Sequence, residues 1–308
     1  MTNDAGDRYY CQIAEIVESL AQRVYKAKYV ELRPATGNMT VMGVVCGLTR
    51  PGDTITTFNS NWGGYPIRLA EWANIRMAYY PFDQDTLNIK TDEACDLIRR
   101  VHPNLVIVGA SEFLFPHPLR ELTEAAHAVG APVYYDGSHV MGLIVGNRFQ
   151  DPFGEGADIL AGSTHKTIFG PQRGVIATND RDLYLRIANV FESPPFLVSC
   201  YHVNTIVALG VALAEVLEFG AAYADQIVRN AQALAQALHQ RGVPLHGAGS
   251  GFTQSHQVIM ENGAFGCPEA LAIKERLEEA GIIADLVVRF GVQELTRLGM
   301  KEGEMRQV

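Results

Sequence analysis

The chain has 308 residues, of which 47% are hydrophobic and 19% charged, and 25 basic against 34 acidic residues give a net charge of −9. This composition excludes a disordered or collagen-like chain, and the lack of a Lys/Arg run argues against nucleic acid and anionic membranes as partners. No stretch approaches the roughly 18 consecutive apolar residues of a membrane helix, and no secretory signal is visible. Five scattered cysteines without a Cys-x-x-Cys pair, and histidines without metal-ligand spacing, predict a cytoplasmic protein with no disulfide framework and no metal site.

Short apolar runs and helix-length segments alternate through the first two thirds of the chain. The runs that predict strands lie at residues 54–58, 75–80, 105–109, 132–135, 159–162 and 174–178. Segments with apolar residues at three- and four-residue spacing predict helices at residues 40–48, 65–74, 91–101 and 119–129. Near-continuous apolar strands that alternate with helices are typical of an α/β fold with a mainly parallel sheet.

The last third of the chain has a different pattern. Residues 202–239 predict a long amphipathic helix with a break near Gly220, and a strand at 257–260 and a helix at 268–280 follow. We therefore predict four parts: an N-terminal arm or helix (1–24), a large domain (25–200), a long interdomain helical segment (201–239) and a small α+β domain (240–308).

Polar residues follow the predicted strands, at the sheet edge where parallel α/β folds bind ligands. Asp136 ends one strand and His139 follows it; Ser163, His165 and Lys166 follow the next. The turn Thr36-Gly37-Asn38 opens a helix, whose backbone N–H groups are suited to a phosphate. Taken singly, each cluster is also explained as a helix cap, a solvated loop or an ordinary turn.

Together the three clusters fit one cofactor, pyridoxal 5′-phosphate. A lysine forms a Schiff base with this cofactor, an aspartate pairs with its pyridinium nitrogen, and a helix N-terminus takes its phosphate. The acid keeps the ring nitrogen protonated, so that the ring can accept the electrons of the bond that breaks.

The segments DGSHVMGLI and STHKTIFGPQRGVI resemble the serine hydroxymethyltransferase family, whose lysine motif reads Thr-His-Lys-Thr and then Gly-Pro. The resemblance extends from residues 6–10 to residues 289–291 and 295–297. It implies the aspartate-aminotransferase-like fold type I of pyridoxal-phosphate-dependent transferases. In this α/β fold, a large domain with a mainly parallel seven-stranded sheet carries a small C-terminal α+β domain.

By position, the resemblance implies a role for each candidate site residue. Lys166 would form the Schiff base and Asp136 would pair with the ring nitrogen. The residues expected around the phosphate and the phenolic oxygen of the cofactor are Thr36, Gly37, Asn38, Ser163, Ser111 and His139.

The resemblance assigns four further residues to the substrate side of the site. His165 would orient the substrate hydroxyl or nearby waters, and Tyr65 occupies the place of a family histidine that stacks on the ring. Arg289 would grip the substrate carboxylate, and Tyr10 matches a tyrosine contributed across a subunit interface. The alternatives that stay open are that Tyr65 is a core aromatic and that Arg289 is a surface ion-pair residue.

The chain departs from the family pattern at four places. The N-terminal arm is absent, and the position of the family's proton-transferring glutamate falls on Thr2. Glu-Ser-Pro-Pro-Phe at 192–196 replaces a glycine pair that faces the phosphate, the loop at 282–286 is short, and the C-terminal helices stop at Val308. The sequence therefore supports cofactor binding better than folate-dependent transfer.

The resulting hypothesis is an enzyme that makes or breaks the Cα–Cβ bond of a β-hydroxy amino acid such as serine. Its small-molecule partner is an amino acid, with tetrahydrofolate as a candidate co-substrate for one-carbon transfer. One alternative is a folate-independent aldolase or transaldolase, and another is a weakly active cofactor-binding subunit that needs a partner chain. The resemblance also implies a homodimer or homotetramer with the active site at the interface.

Overall fold

The computed structural model describes residues 7–84, 86–192, 197–198, 201–261 and 268–307. Within these residues, seven strands form one sheet, and two pairs of short strands lie outside it. The strands up to residue 178 are β1 (Tyr29–Glu31), β2 (Thr54–Thr57), β3 (Arg76–Tyr79), β4 (Phe82–Asp83), β5 (Asn88–Ile89), β6 (Leu105–Val108), β7 (Val133–Asp136), β8 (Ile159–Ser163) and β9 (Gly174–Thr178).

The large sheet has the strand order β1-β9-β8-β7-β6-β2-β3. β9 runs antiparallel to both of its neighbours, and the remaining pairs are parallel. The six strands predicted in the first two thirds of the chain are all present in this sheet, within two residues of their predicted ends. The short edge strand β1 was missed. The fold is therefore the expected α/β fold with a mainly parallel sheet.

Both faces of the sheet are covered by helices. These are α1 (Asp7–Tyr25), α2 (Gly37–Leu48), α3 (Arg68–Trp72), α4 (Thr91–Val101), α5 (Leu119–Ala128), α6 (Met141–Val145), α7 (Arg181–Glu192) and α8 (Val203–Gln240). In β6, Leu105 and Ile107 pack in the core with α2 and α7, whereas Val106 and Val108 pack in the core on the other face. Because alternate side chains enter opposite cores, the strand reads as a continuous apolar run.

The helix predicted at 65–74 is shorter than expected, because only residues of α3 are helical. Tyr65 precedes Pro66, and a residue before proline is disfavoured in the helical region. Tyr65 therefore lies in the loop before α3.

The predicted break at Gly220 is wrong, since α8 is one helix of 38 residues. A Cβ atom on Gly146, just after α6, would lie 2.7 Å from the carbonyl oxygen of Gly220 and 2.4 Å from the Cβ of Ala224. Small residues thus let α6 approach α8 closely. The packing of this long buried face outweighs the roughly 1 kcal/mol that a helical glycine costs.

By length and composition alone, α8 is long and apolar enough to cross a membrane. The prediction of no membrane helix, which considered only consecutive apolar residues, did not anticipate this. In this structure 39% of the most apolar 18-residue stretch of α8 is buried, and the helix packs against α1 and α6. A core helix of a soluble protein passes the same length and composition test.

The described C-terminal part contains β10 (Gln257–Ile259), α9 (Pro268–Glu279), β11 (Arg289–Gly291), α10 (Gln293–Arg297) and α11 (Glu302–Met305). β10 and β11 pair antiparallel, so that Ile259 lies opposite Arg289. α8 packs against β10, α10 and α11. The division into four parts at the predicted boundaries stays a prediction.

Candidate active site

The polar residues that follow the parallel strands meet around one cavity of about 220 Å³. β7 and β8 are adjacent, with Asp136 opposite Ala161, so the loops after them leave the sheet side by side. The predicted residues that line the cavity are Thr36, Gly37, Asn38, Tyr65, Ser111, Asp136, His139, Ser163, His165 and Lys166. The structure brings these side chains together, and their roles stay predictions.

The N-terminus of α2 forms one wall of this cavity. Thr36 caps the helix, and its side chain accepts a hydrogen bond from the backbone N–H of Met39. A Cβ atom on Gly37 would lie 3.0 Å from the Cβ of Ser163, at the end of β8. The lack of a side chain at Gly37 thus lets the end of β8 approach α2 closely, and the first turn of α2 lies at the cavity, where free N–H groups of a helix N-terminus can bind an anion.

Lys166 lies on a loop that several hydrogen bonds hold in place. The hydroxyl of Thr164 donates to the carbonyl of Pro171, and that of Thr167 donates to the carbonyl of His139. Burial lowers the pKa of Lys166; Asp136 counteracts this effect, and Arg289 adds to it. The amine is therefore neutral, and hence nucleophilic, over a wider pH range than that of a surface lysine.

His139 lies between Lys166 and Gln257. Its Nε2 is 2.9 Å from Nζ of Lys166, and its Nδ1 is 3.2 Å from the amide nitrogen of Gln257. The orientation of the Gln257 amide is fixed, because its oxygen accepts from the N–H of Phe113 and its nitrogen also donates to the carbonyl of Ser111.

An amide nitrogen donates only, so Nδ1 of His139 must accept. Burial lowers the pKa of His139 well below its usual range, and the positive charge of Arg289 adds to this effect. The neutral imidazole thus carries its proton on Nε2 and points it at the lone pair of Lys166.

Asp136 is the last residue of β7, and the chain that leaves β6 passes close to it. Its carboxylate accepts a hydrogen bond from the N–H of Ser138. Gly109, after β6, has φ of +137°, and a Cβ atom there would lie 2.4 Å from the carbonyl oxygen of Asp136. Only glycine permits this approach, which aligns the carboxylate with the lysine loop.

Tyr65, Asn38 and His165 form the exposed rim of the cavity. The hydroxyl of Tyr65 donates to Oδ1 of Asn38 at 2.8 Å, which ties the loop before α3 to the start of α2. Tyr65 is therefore an aromatic at the mouth of the site, and the explanation of it as a core residue is wrong.

Arg289, at the start of β11, reaches the same region from the C-terminal part. It donates to the carbonyl of Ser111, a cavity-lining residue, and pairs with the carboxylate of Asp285. Its guanidinium also lies 3.4 Å from the carboxylate of Glu112. Arg289 is therefore not an ordinary surface ion-pair residue.

Three predictions lie away from this cavity or outside the described residues. Tyr10 is buried within its own chain, with its ring edge-on to Tyr201, so its role across an interface stays a prediction. Thr2 and residues 193–196 lie outside the described residues.

Sequence reasoning missed three residues of the site. Gln257 contacts His139, although it lies 118 positions further along the chain, and no local pattern reveals such a contact. Gln172 lines the cavity, within the Gly-Pro-Gln-Arg-Gly segment that follows the lysine motif. Glu112 lies beside Ser111, and a carboxylate next to a predicted site residue was the only available signal.

The donor set fits the predicted cofactor. A nucleophilic lysine faces a carboxylate, and a helix N-terminus forms a cradle for an anion within the same cavity. An α/β fold with this arrangement at the strand ends is that of a pyridoxal-phosphate-dependent enzyme.

Comparisons with known proteins agree with this class. The family model for serine hydroxymethyltransferase matches residues 3–287. The serine hydroxymethyltransferase of Korarchaeum cryptofilum is 38% identical over 335 aligned residues, which cover 99% of this chain and 76% of the relative. That of Archaeoglobus fulgidus is 39% identical, covering 98% of this chain and 74% of the relative. The chain belongs to the serine hydroxymethyltransferase family.

A solved structure gives the same result at the level of the fold. The L-threonine transaldolase from Pseudomonas fluorescens, in its internal aldimine state, superposes with a TM-score of 0.89 at 31% identity. The match covers all of this chain and 74% of that one. This chain thus spans about three quarters of the length of the relatives it matches.

Proposed function

We propose that the protein makes or breaks the Cα–Cβ bond of a β-hydroxy amino acid, with serine and glycine as its substrates. The names of its relatives support this reaction, and the observation that carries it is the place of Lys166. Its Nζ lies 2.9 Å from Nε2 of His139, in the cavity that also holds Asp136 and the start of α2, and burial lowers the pKa of this amine.

Pyridoxal phosphate, when bound, supplies a ring that accepts the electrons of the bond broken at Cα. Lys166 would hold the cofactor covalently, and Asp136 would keep a proton on its ring nitrogen. The first turn of α2 would bind the phosphate through backbone N–H groups.

On the substrate side, Arg289 would bind the carboxylate with a planar pair of N–H donors, a geometry that lysine cannot provide. With the carboxylate fixed, the reacting bond has a defined orientation at the cavity. His165 and Tyr65, at the exposed rim, would contact the substrate hydroxyl, from which a proton must leave when the Cα–Cβ bond breaks.

A second function is a folate-independent transaldolase. It is supported by the similarity to the threonine transaldolase and by the family glutamate position that falls on Thr2. The two reactions differ in their need for tetrahydrofolate. Conversion of serine to glycine only with tetrahydrofolate would support the first. Release of acetaldehyde from threonine without folate, with the glycine unit recovered in a new β-hydroxy amino acid formed from an added aldehyde, would support the second.

We also propose a homodimer or homotetramer in the cytoplasm. Large apolar side chains on α1 and α8 are exposed in the single chain, including Ile16 (61%), Val211 (59%) and Phe219 (52%). Several large apolar side chains exposed on two helices that pack together favour a protein interface there. If activity appears only after a second protein is added, the subunit with a missing partner becomes the better explanation.

The cofactor assignment is tested by the absorbance of the protein mixed with pyridoxal phosphate. We expect a visible band from condensation with a lysine, and its loss in Lys166→Ala. Lys90→Ala removes an exposed lysine outside the cavity and should keep the band. If Lys166→Ala keeps the band as well, Lys166 is not the reacting amine.

A further inference from the structure

Glu112 has no part in the chemistry described so far, yet it is buried beside the arginine of the site. Its side chain is 7% exposed, and Oε1 lies 3.4 Å from Nη1 of Arg289. Oε2 is buried without a hydrogen-bond partner among the described residues. A Cβ atom on Gly63 would lie 1.8 Å from Oε2, so the glycine leaves the space that this oxygen occupies.

The carboxyl faces a small cavity of about 100 Å³, separate from the one around Lys166. Trp62 and Phe82 stack on each other in its wall, and His246 and Glu261 supply its other titratable groups. Among the described residues, Arg289 and Asp285 are the charged groups that shift the pKa of Glu112. A carboxylate left partly unpaired in such surroundings needs a reason.

The charges around Arg289 supply that reason. Its guanidinium already pairs with Asp285 and lies next to Glu112, so one positive charge compensates two carboxylates. A substrate carboxylate would be the third. Bringing it to Arg289 adds a negative charge that must be compensated at this poorly solvated place.

We propose that Glu112 is a positioning residue that holds Arg289 and takes up one proton when a carboxylate binds there. The proposal rests on the proposed function in so far as Arg289 is the site of the substrate carboxylate. Protonated Glu112 no longer competes for the guanidinium, and its O–H can donate a hydrogen bond.

The direction of the pH dependence follows from the burial of Glu112. Burial raises its pKa to about 7, Arg289 counteracts this effect, and Asp285 adds to it. A bound carboxylate raises the pKa of Glu112 further, so by linkage the protonated protein binds the carboxylate more tightly. Affinity is therefore highest below pH 7 and falls as the pH rises above it.

The test uses propionate, which has a carboxylate but no amine and so cannot condense with the cofactor. Calorimetry of the cofactor-loaded protein in two buffers of different ionisation enthalpy counts the protons taken up on binding. We expect uptake of close to one proton at pH 8. The wild-type affinity there should be about tenfold below its low-pH limit, because only about a tenth of Glu112 is protonated.

Glu112→Gln keeps the shape of the side chain but cannot ionise. In this variant we expect no proton uptake and the same affinity for propionate from pH 6 to pH 8. Asp285→Asn and His246→Gln are the matched controls, since each removes another titratable group near Arg289 or Glu112. Proton uptake that persists in Glu112→Gln, or that disappears only in one of the controls, would overturn the proposal.

Two further measurements separate this proposal from misfolding of the variant and from failure of the proposed function. Carbon-13 NMR of glutamate-labelled wild-type protein follows the carboxyl titration directly, and a pKa that does not rise with propionate contradicts the proposal even if Glu112→Gln misfolds. The absorbance test is run on the same sample. Loss of the cofactor band would contradict the proposed function, whereas the proton count tests Glu112 alone.

Discussion

The position of the His139 proton depends on Gln257, a residue 118 positions further along the chain. Histidine has two similar tautomers, and the hydrogen bond at one ring nitrogen decides which is present. Here the amide nitrogen of Gln257, which can only donate, selects the tautomer that directs a proton at Lys166. This arrangement favours the uncharged form of the lysine, because an ammonium group has no lone pair to accept that proton.

Replacing this amide with an acid should reverse the arrangement. In Gln257→Glu the carboxylate accepts from Nδ1 of His139 and favours a proton there, which raises the pKa of the imidazole. We expect nitrogen-15 NMR to show His139 losing its Nε2–H tautomer in favour of the doubly protonated form. The variant should also be destabilised by about 1–3 kcal/mol, because buried donors and acceptors lose their partners.

Gln172→Glu is the control for this change, since it adds the same charge at the exposed edge of the cavity. It should leave the tautomer of His139 unchanged. If Gln257→Glu also leaves the tautomer unchanged, Gln257 does not set the proton position.

At the residue scale, the local sequence predicted what lies close to the strand ends. Asp136 and Lys166 follow adjacent apolar strands, so a mainly parallel sheet already places them together. Gln257 and Glu112 were missed because their partners, His139 and Arg289, are more than a hundred positions away. Their importance depends on tertiary contacts and on burial, which local patterns do not contain.

At the scale of elements, the buried strands were predicted correctly, whereas one short strand and the continuity of one helix were not. β6 and β8 are buried on both faces and therefore read as continuous apolar runs. β1 has only three residues, which is too short for a periodic pattern. α8 continues through Gly220 because its neighbours bury that face, and a propensity argument does not include such packing.

The contact between the ends of β6 and β7 can be tested by a glycine pair. Gly109→Ala would combine a strained backbone with a Cβ atom 2.4 Å from the carbonyl of Asp136. Gly130 also has positive φ, +78°, but nothing lies within 4 Å of an added Cβ. We expect Gly130→Ala to cost about 1 kcal/mol and Gly109→Ala about 3 kcal/mol or more in the free energy of unfolding.

Denaturant titrations of the cofactor-free variants measure both costs. The difference between the two measures what Gly109→Ala costs beyond the loss of an ordinary left-handed glycine, through its φ of +137° and through the contact with Asp136. Equal destabilisation would show that the ends of β6 and β7 adjust to the added Cβ atom without penalty.

At the scale of the whole molecule, the exposed apolar residues of α1 and α8 predict self-association. Val211, which is 59% exposed, would be buried in such an interface. An unpaired carboxylate buried there costs several kcal/mol, so Val211→Glu should weaken a dimer by a factor of about 100 or more. Sedimentation equilibrium should then give the mass of one chain, 33.7 kDa, in place of a multiple of it.

Gln236→Glu adds the same charge on an exposed, polar position of the same helix and should leave the mass unchanged. A wild-type protein that is monomeric at micromolar concentration, or a Val211→Glu variant with the wild-type mass, would place the interface elsewhere or exclude it.

The pairing of β10 with β11 couples two parts of the site mechanically. Gln257 begins β10 and Arg289 begins β11, and the two strands are joined in one antiparallel ladder. A rigid displacement of this pair would move Arg289, the proposed anchor of the substrate carboxylate, and the amide that orients His139 at the same time. If Arg289 binds that carboxylate, any shift of β11 on binding would therefore also reach the proton donor beside Lys166 through β10.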